Sequence, residues 1–118
     1  MVYLVTNCQA IQSAALRFVF SDGHGLAAYT EWFEDLRELA RVDWSLVKER
    51  YWADDPTGDN DRQRRKQAEF LIHQFCPWEV IQGIVVIDQD VMGQVQGILD
   101  RFAVTLRKPV AVRPGWYY

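Results

Sequence analysis

The sequence predicts an α+β fold, a mixed sheet with flanking helices, and three observations predict it. Gly83 to Asp88 (GIVVID) is a short, continuous, β-branched apolar run, the pattern of a buried strand. Val91, Val95, Ile98, Leu99 and Phe102 then recur at the spacing of an amphipathic helix. Shorter strand-like and helix-like runs fill the rest of the chain in no fixed alternation, without an internal repeat or a linker, which predicts one domain over residues 1–118.

Composition narrows the class. The chain is 49% hydrophobic and 25% charged, ordinary globular usage, which excludes disorder. Five Trp, five Tyr and six Phe supply the apolar faces of a modest core. With 13 basic against 16 acidic side chains the net charge is −3, so no global field attracts nucleic acid or an anionic membrane, and any polyanion site is local. The opening MVYLVTNCQAIQ lacks the basic and long apolar regions of a leader, and no run reaches the ~18 apolar residues of a membrane span, so a soluble, cytoplasmic protein is expected. Cys8 and Cys76 are too few for a disulfide framework and, with only His24 and His73, give no metal-ligand spacing; two reduced, mostly buried thiols and no metal are expected.

Val2 to Val5 reads as a strand that begins in mid-fold, Gln9 to Leu16 as a short helix, and Arg17 to Phe20 as a second strand ending at the turn Ser21-Asp22-Gly23. Leu26, Tyr29, Phe33, Leu36 and Ala40 recur at helical spacing and predict an amphipathic helix through about Glu38. Asp43 is an N-cap that opens a short helix towards Tyr51. The stretch from Asp54 to Asp61 holds four carboxylates in no calcium-loop order and predicts a solvated loop. Ala68, Leu71, Ile72 and Phe75 fit a helix face, while Ala68, Phe70 and Ile72 also fit one side of a strand, and periodicity leaves both open. Pro109 to Tyr118 predicts an edge or irregular strand.

Three places carry more polar or aromatic character than packing requires. His24, flanked by Gly23 and Gly25 at a strand end, is accessible and suited to hydrogen bonding or proton exchange; a turn histidine without a role is the alternative. Arg62, Arg64, Arg65 and Lys66 follow Tyr51 and Trp52 across the acidic loop, pairing phosphate-binding cations with aromatics that stack on unpaired bases; a solvated charged face is the alternative. Glu69 lies between Ala68 and Phe70, and on a strand it shares a face with Gln67, Leu71 and His73. A partly desolvated carboxylate there suits glycosyl transfer through an oxocarbenium-like state; an exposed structural glutamate is the alternative.

In their order and spacing, VYLVT, FSDGHG, VDW (Val42 to Trp44), YW, RRKQAEFLIH, PWEVIQGIVV and VAVRPGWYY resemble the DarT family of NAD-dependent DNA ADP-ribosyltransferases, toxins paired with a macrodomain antitoxin. The resemblance spans most of the chain. It implies a partial ADP-ribosyltransferase-like fold, with a strand at Ala68 to Phe75 and the stretch from His24 to Glu69 similar to the family's substrate-reading turn region. Glu69 matches the catalytic glutamate, whose implied role is to engage the ribose of NAD and stabilise the cation left as nicotinamide departs, so that a thymine nitrogen of single-stranded DNA attacks. His24, Trp52, Arg62, Arg64 and Arg65 are implied to position the DNA. The family's histidine-containing NAD-binding motif and its catalytic arginine lie upstream of the segment resembling VYLVT, and this chain opens at VYLVT. NAD-contacting residues are therefore unassigned, and the expectation is a truncated or split form, weak or inactive alone. A non-catalytic single-stranded-DNA-binding module, or one component of a split protein, is the competing reading.

Overall fold

The computed structural model describes residues 1–117; Tyr118, the end of the VAVRPGWYY segment, lies outside them. Short β-branched and aromatic runs form six strands among the described residues: β1 (Tyr3–Val5), β2 (Phe18–Ser21), β3 (Trp32–Phe33), β4 (Phe70–Ile72), β5 (Gly83–Val86) and β6 (Val110–Val112). The α-helices are α1 (Cys8–Ser13), α2 (Trp44–Lys48), α3 (Arg62–Lys66) and α4 (Gln89–Leu99). They fall into two compact units, each with a three-stranded sheet: Met1–Ala15 together with the segment from Cys76 onward, and Leu16–Phe75.

In the first unit the expected GIVVID strand is the centre of a mixed sheet, with β5 antiparallel to β1 and parallel to β6. Ile84 and Val86 face α4, where Val91, Met92, Val95 and Leu99 pack against them with Val110 and Val112. Asp88 starts that helix by accepting a hydrogen bond from the Val91 N–H at 2.9 Å, and Asn7 starts α1 by accepting from Ala10 N–H at 2.8 Å. Two members of the expected apolar stripe are exposed. Phe102 lies past the end of α4 at Leu99, and Ile98 sits at the margin of the stripe. The C-terminal strand is an edge, as Pro109 and Pro114 require; Pro114 opens a 3₁₀ turn to Trp116. Both cysteines are free, but Cys76 is exposed and Cys8 half-buried, which corrects the expectation of mostly buried thiols.

In the second unit β2 is central, with β3 and β4 antiparallel on either side. Alternation sorts its faces. Phe18 and Phe20 stack with Phe70 at centroid distances of 5.0 and 6.2 Å, and Phe33 closes on Phe20 at 5.4 Å, which makes one face an aromatic core. The helix expected from Leu26 to Glu38 does not form. Leu26 is 91% exposed and Tyr29 is exposed too, so the helical spacing carries no buried stripe there. The segment makes successive turns (Ala27 N–H to His24 O, 3.1 Å; Thr30 N–H to Ala27 O, 3.1 Å) before Trp32 and Phe33 pair with β2. Asp35 then caps a 3₁₀ helix, Leu36–Arg41, through the Arg37 N–H. Asp43 caps α2 as expected, accepting from Leu46 N–H at 3.1 Å.

The strand expected at Ala68 to Phe75 is shorter. Only Phe70–Ile72 pairs as β4; His73 adds one bond to the Arg17 carbonyl, and Gln74, at φ 61°, turns the chain away. Among the described residues no helix is long and apolar enough to cross a membrane.

The aromatic face carries the stability of the second unit. Phe20, 2% exposed, predicts a loss of about 3–5 kcal/mol for Phe20→Ala in urea unfolding. Leu26→Ala stays within about 0.5 kcal/mol of the parent, a result that a buried helix at this position would not give.

Candidate functional site

The site is built on the end of β2. Ser21 is fully buried, and its polar atoms are tied to residue 69 and to the following turn. Its N–H donates to the Glu69 carbonyl at 2.9 Å, its hydroxyl accepts from the Glu69 N–H at 3.0 Å, and the hydroxyl proton goes to the Gly23 carbonyl at 2.6 Å. Glu69 is thus fixed through its main chain at the entrance to β4, with its side chain exposed. This corrects the expectation of a partly desolvated carboxylate; the alternation predicted for the segment holds, with Ala68, Phe70 and Ile72 more buried than Glu69, Leu71 and His73.

The glycines of FSDGHG serve close approach. A Cβ at Gly25 would stand 2.8 Å from Glu69 Oε2 and 2.9 Å from Trp32 Cζ2, so carboxylate, glycine and indole edge meet at one spot. A Cβ at Gly23 would stand 2.9 Å from the Arg64 carbonyl. Between them, the His24 N–H donates to that carbonyl at 2.8 Å and its Nδ1 accepts from the Leu26 N–H at 3.1 Å. With Nδ1 an acceptor, the neutral ring carries its proton on Nε2, as a donor.

The basic run is paired within the chain and is not a freely solvated face. Arg64 Nε and Nη2 donate to the two Asp61 oxygens at 2.8 and 2.7 Å, while Nη1 reaches Asp22 Oδ1 and Thr30 Oγ1, both at 3.2 Å. The Tyr29 ring lies 4.7 Å from the Arg64 guanidinium, and its hydroxyl donates to Asp61 at 3.1 Å. Arg65 pairs with Asp43 at 2.5 Å and with Asp59. Arg62 pairs with Glu49 and lies 5.5 Å over the Tyr51 ring; its Nε is buried without a hydrogen-bond partner. Lys66, only 7% exposed, donates to the Leu46, Val47 and Glu49 carbonyls at the end of α2, with the Trp52 ring 5.0 Å from its ammonium.

The acidic stretch is therefore the counter-charge of the basic one. Asp59 and Asp61 face the arginines, Asp54 accepts from the Gln63 N–H at 2.9 Å, and Asp55 accepts from the Thr57 N–H and hydroxyl. Hydrogen bonding to Arg64 holds the Asp61 carboxyl below the usual carboxylate range, and Arg65 does the same for Asp59. Among the described residues no cluster of three or more His, Cys, Asp or Glu side chains could hold a metal ion. The second unit also carries a groove of about 540 Å³ lined by Arg17, Phe18, Glu34, Leu71 and His73, among others.

The structure thus places His24 within a glycine turn that meets Arg64 at Gly23 and Glu69 at Gly25, and joins Trp52, Arg62 and Arg65 to α2 and the acidic loop. Sequence reasoning placed Ser21 and Asp22 in the turn but assigned them no role, and passed over Trp32. Each gains its meaning from a cross-strand or ion-pair partner distant in the chain.

This geometry, with its mixed α+β architecture, belongs to the ADP-ribosyltransferase-like folds. The family model described as "ssDNA thymidine ADP-ribosyltransferase, DarT" matches residues 1–118, and the chain belongs to the DarT family. A DNA ADP-ribosyl transferase of Thermus sp. is 40% identical over 118 residues, covering 100% of this chain and 54% of the relative. Its counterpart in Escherichia coli is 33% identical, with 100% and 53% covered. The solved structure of Thermus sp. 2.9 DarT in complex with NAD+ superposes with a TM-score of 0.91 at 39% identity, over 99% of this chain and 57% of that one. The same DarT in complex with ADP-ribosylated ssDNA gives 0.91 and 39%, over 99% and 54%. The chain spans about half the length of the relatives it matches.

Two outcomes follow from the site. Ser21→Ala leaves the Glu69 N–H without its partner and costs about 1–3 kcal/mol in urea unfolding. Because the folded Asp59 and Asp61 carboxyls titrate below the ordinary range of ~4, their stabilisation is complete above it and is lost as pH falls through the lowered values. The thermal midpoint should therefore fall steeply below about pH 4, and Asp61→Asn should lower the midpoint at pH 7 while shrinking that acid drop.

Proposed function

We propose that this chain is part of an NAD-dependent ADP-ribosyltransferase that modifies thymidine bases of single-stranded DNA in the cytoplasm, with Glu69 as its catalytic residue. The observation that carries this reading is the exposed Glu69 carboxylate, anchored by a buried serine and set against Gly25 and Trp32 beside the His24 turn. NAD is the substrate that supplies an ADP-ribosyl group, whose ribose gains positive charge as nicotinamide leaves. The Ser21 bonds hold the main chain of Glu69 and so set where its carboxylate is presented, and a negative charge placed there stabilises such a developing cation. The Gly25 approach fits this role, since any side chain there would occupy the space against the carboxylate.

His24 presents Nε2–H as a donor to an acceptor on the DNA, a base oxygen or a phosphate. Trp52 and Arg62, Arg64 and Arg65 complete the DNA-facing side in this reading. Arg64 and Arg65 each pair with more than one carboxylate and Arg62 with one, so their main part is to hold the turn and the acidic loop in place, with phosphate contact the smaller share. Family membership supports a macrodomain antitoxin as the partner that reverses the modification.

Supplied with NAD and a thymidine-containing oligonucleotide, the full-length protein should add one ADP-ribosyl unit to the DNA, read by mass spectrometry. Glu69→Ala should lower the rate by about 100-fold or more. Retained modification in that variant would remove Glu69 from catalysis, and salt-sensitive DNA binding without NAD turnover would make the protein a binding module. Residues 1–118 alone should give weak or no transfer, since they match only about half of each relative's length; robust transfer by this segment overturns that expectation.

A further inference from the structure

We infer that Trp32 is the platform on which an unpaired base of the DNA strand stacks as it is presented to Glu69. The inference rests on the reading of Glu69 and single-stranded DNA above, and it assigns a binding surface that this reading does not contain.

The placement follows from the sheet. Trp32 lies directly opposite Ser21 across the β2–β3 pair. On the other side, the β2–β4 register sets Phe20 opposite Phe70, so the next position, Glu69, falls opposite Ser21; the Ser21 N–H to Glu69 carbonyl bond continues that pairing. Directly opposed residues of antiparallel strands project to the same face. Trp32, Ser21 and Glu69 therefore form one rung across three strands, on the face opposite the Phe20, Phe33 and Phe70 core. Both side chains close on Gly25, where a Cβ would stand 2.8 Å from Glu69 Oε2 and 2.9 Å from Trp32 Cζ2.

Packing covers this tryptophan only in part. Its neighbour Phe33 is drawn into the aromatic core, whereas Trp32 stays 42% exposed on an edge strand. An indole with an open surface next to a carboxylate is costly to leave in water and well suited to a planar heteroaromatic ring, because stacking tolerates any base and needs no matched hydrogen bonds. Two such rings belong to the proposed reaction, a DNA base and nicotinamide. The open edge-strand setting favours the base of a strand lying across the surface, since small-molecule rings are held in enclosed pockets. Trp32 also lies outside the groove of this unit, which is lined in part by Val19 and Leu71, a register pair of β2 and β4.

The test measures binding of a labelled thymidine-containing oligonucleotide by anisotropy, together with the KM for NAD, in the full-length protein and its Trp32→Phe, Trp32→Leu and Trp32→Ala variants. Trp32→Ala and Trp32→Leu should weaken DNA binding about tenfold or more, Trp32→Phe should keep most of the affinity, and the KM for NAD should stay within about twofold. The phenylalanine and leucine variants separate stacking from folding, since both fill the position and only one is aromatic. Unchanged DNA affinity in the leucine variant overturns the inference, and so does a raised KM for NAD with intact DNA binding, which would assign the platform to nicotinamide. If the unsubstituted protein fails to bind the oligonucleotide, the reading of the site as a DNA site falls with it. DNA binding that survives every Trp32 variant removes only the platform.

Discussion

The guanidinium of Arg64 holds the candidate site in place. It joins the Asp22 carboxylate at the end of β2 to the Asp61 carboxylate at the start of α3, bonds Thr30, and lies over the Tyr29 ring, while its own carbonyl receives the His24 N–H. Hydrogen bonds from one residue's side chain and backbone thus fix both sides of the glycine turn. The turn in turn sets where Gly25 meets Glu69 and Trp32. A planar cation with five donors in a fixed fork can make these bonds together, which a lysine could not.

Ion pairs of this kind are not surplus stability. Arg64 is mostly withdrawn from water, and its desolvation is offset only because two carboxylates and a hydroxyl take its donors. The acidic stretch from Asp54 to Asp61 provides part of that compensation, which explains why a chain of net charge −3 places its densest basic run beside its densest acidic one. The same pairing cancels the local field that the basic run would otherwise project.

Local signals in the sequence were sound where the structure is local. The GIVVID strand, the Asp43 cap, the turn at Ser21 to Gly23 and the helix after Asp88 depend on neighbours a few residues away, and they stand near their expected positions. The misread helix at Leu26 to Glu38 and the unforeseen strand at Trp32–Phe33 share one cause: a two-residue strand exists only because β2 is beside it, and its partner is invisible to periodicity. The internal pairing of the basic run is invisible in the sequence for the same reason, since Asp22, Asp43 and Glu49 are remote in sequence from the arginines they neutralise. Glu69 is singled out by family resemblance alone, not by its own neighbourhood, and the division into two sheets leaves no trace in composition or spacing.

The bonds from Ser21 act on the main chain of residue 69, and this has a consequence for how such a site changes over time. The scaffold specifies a location without specifying the side chain that stands there. Folding and side-chain identity are thereby written in different atoms of the same residue: substitution at 69 changes the group presented there while the backbone keeps its course. A lineage can exchange the group at this position without first solving a folding problem.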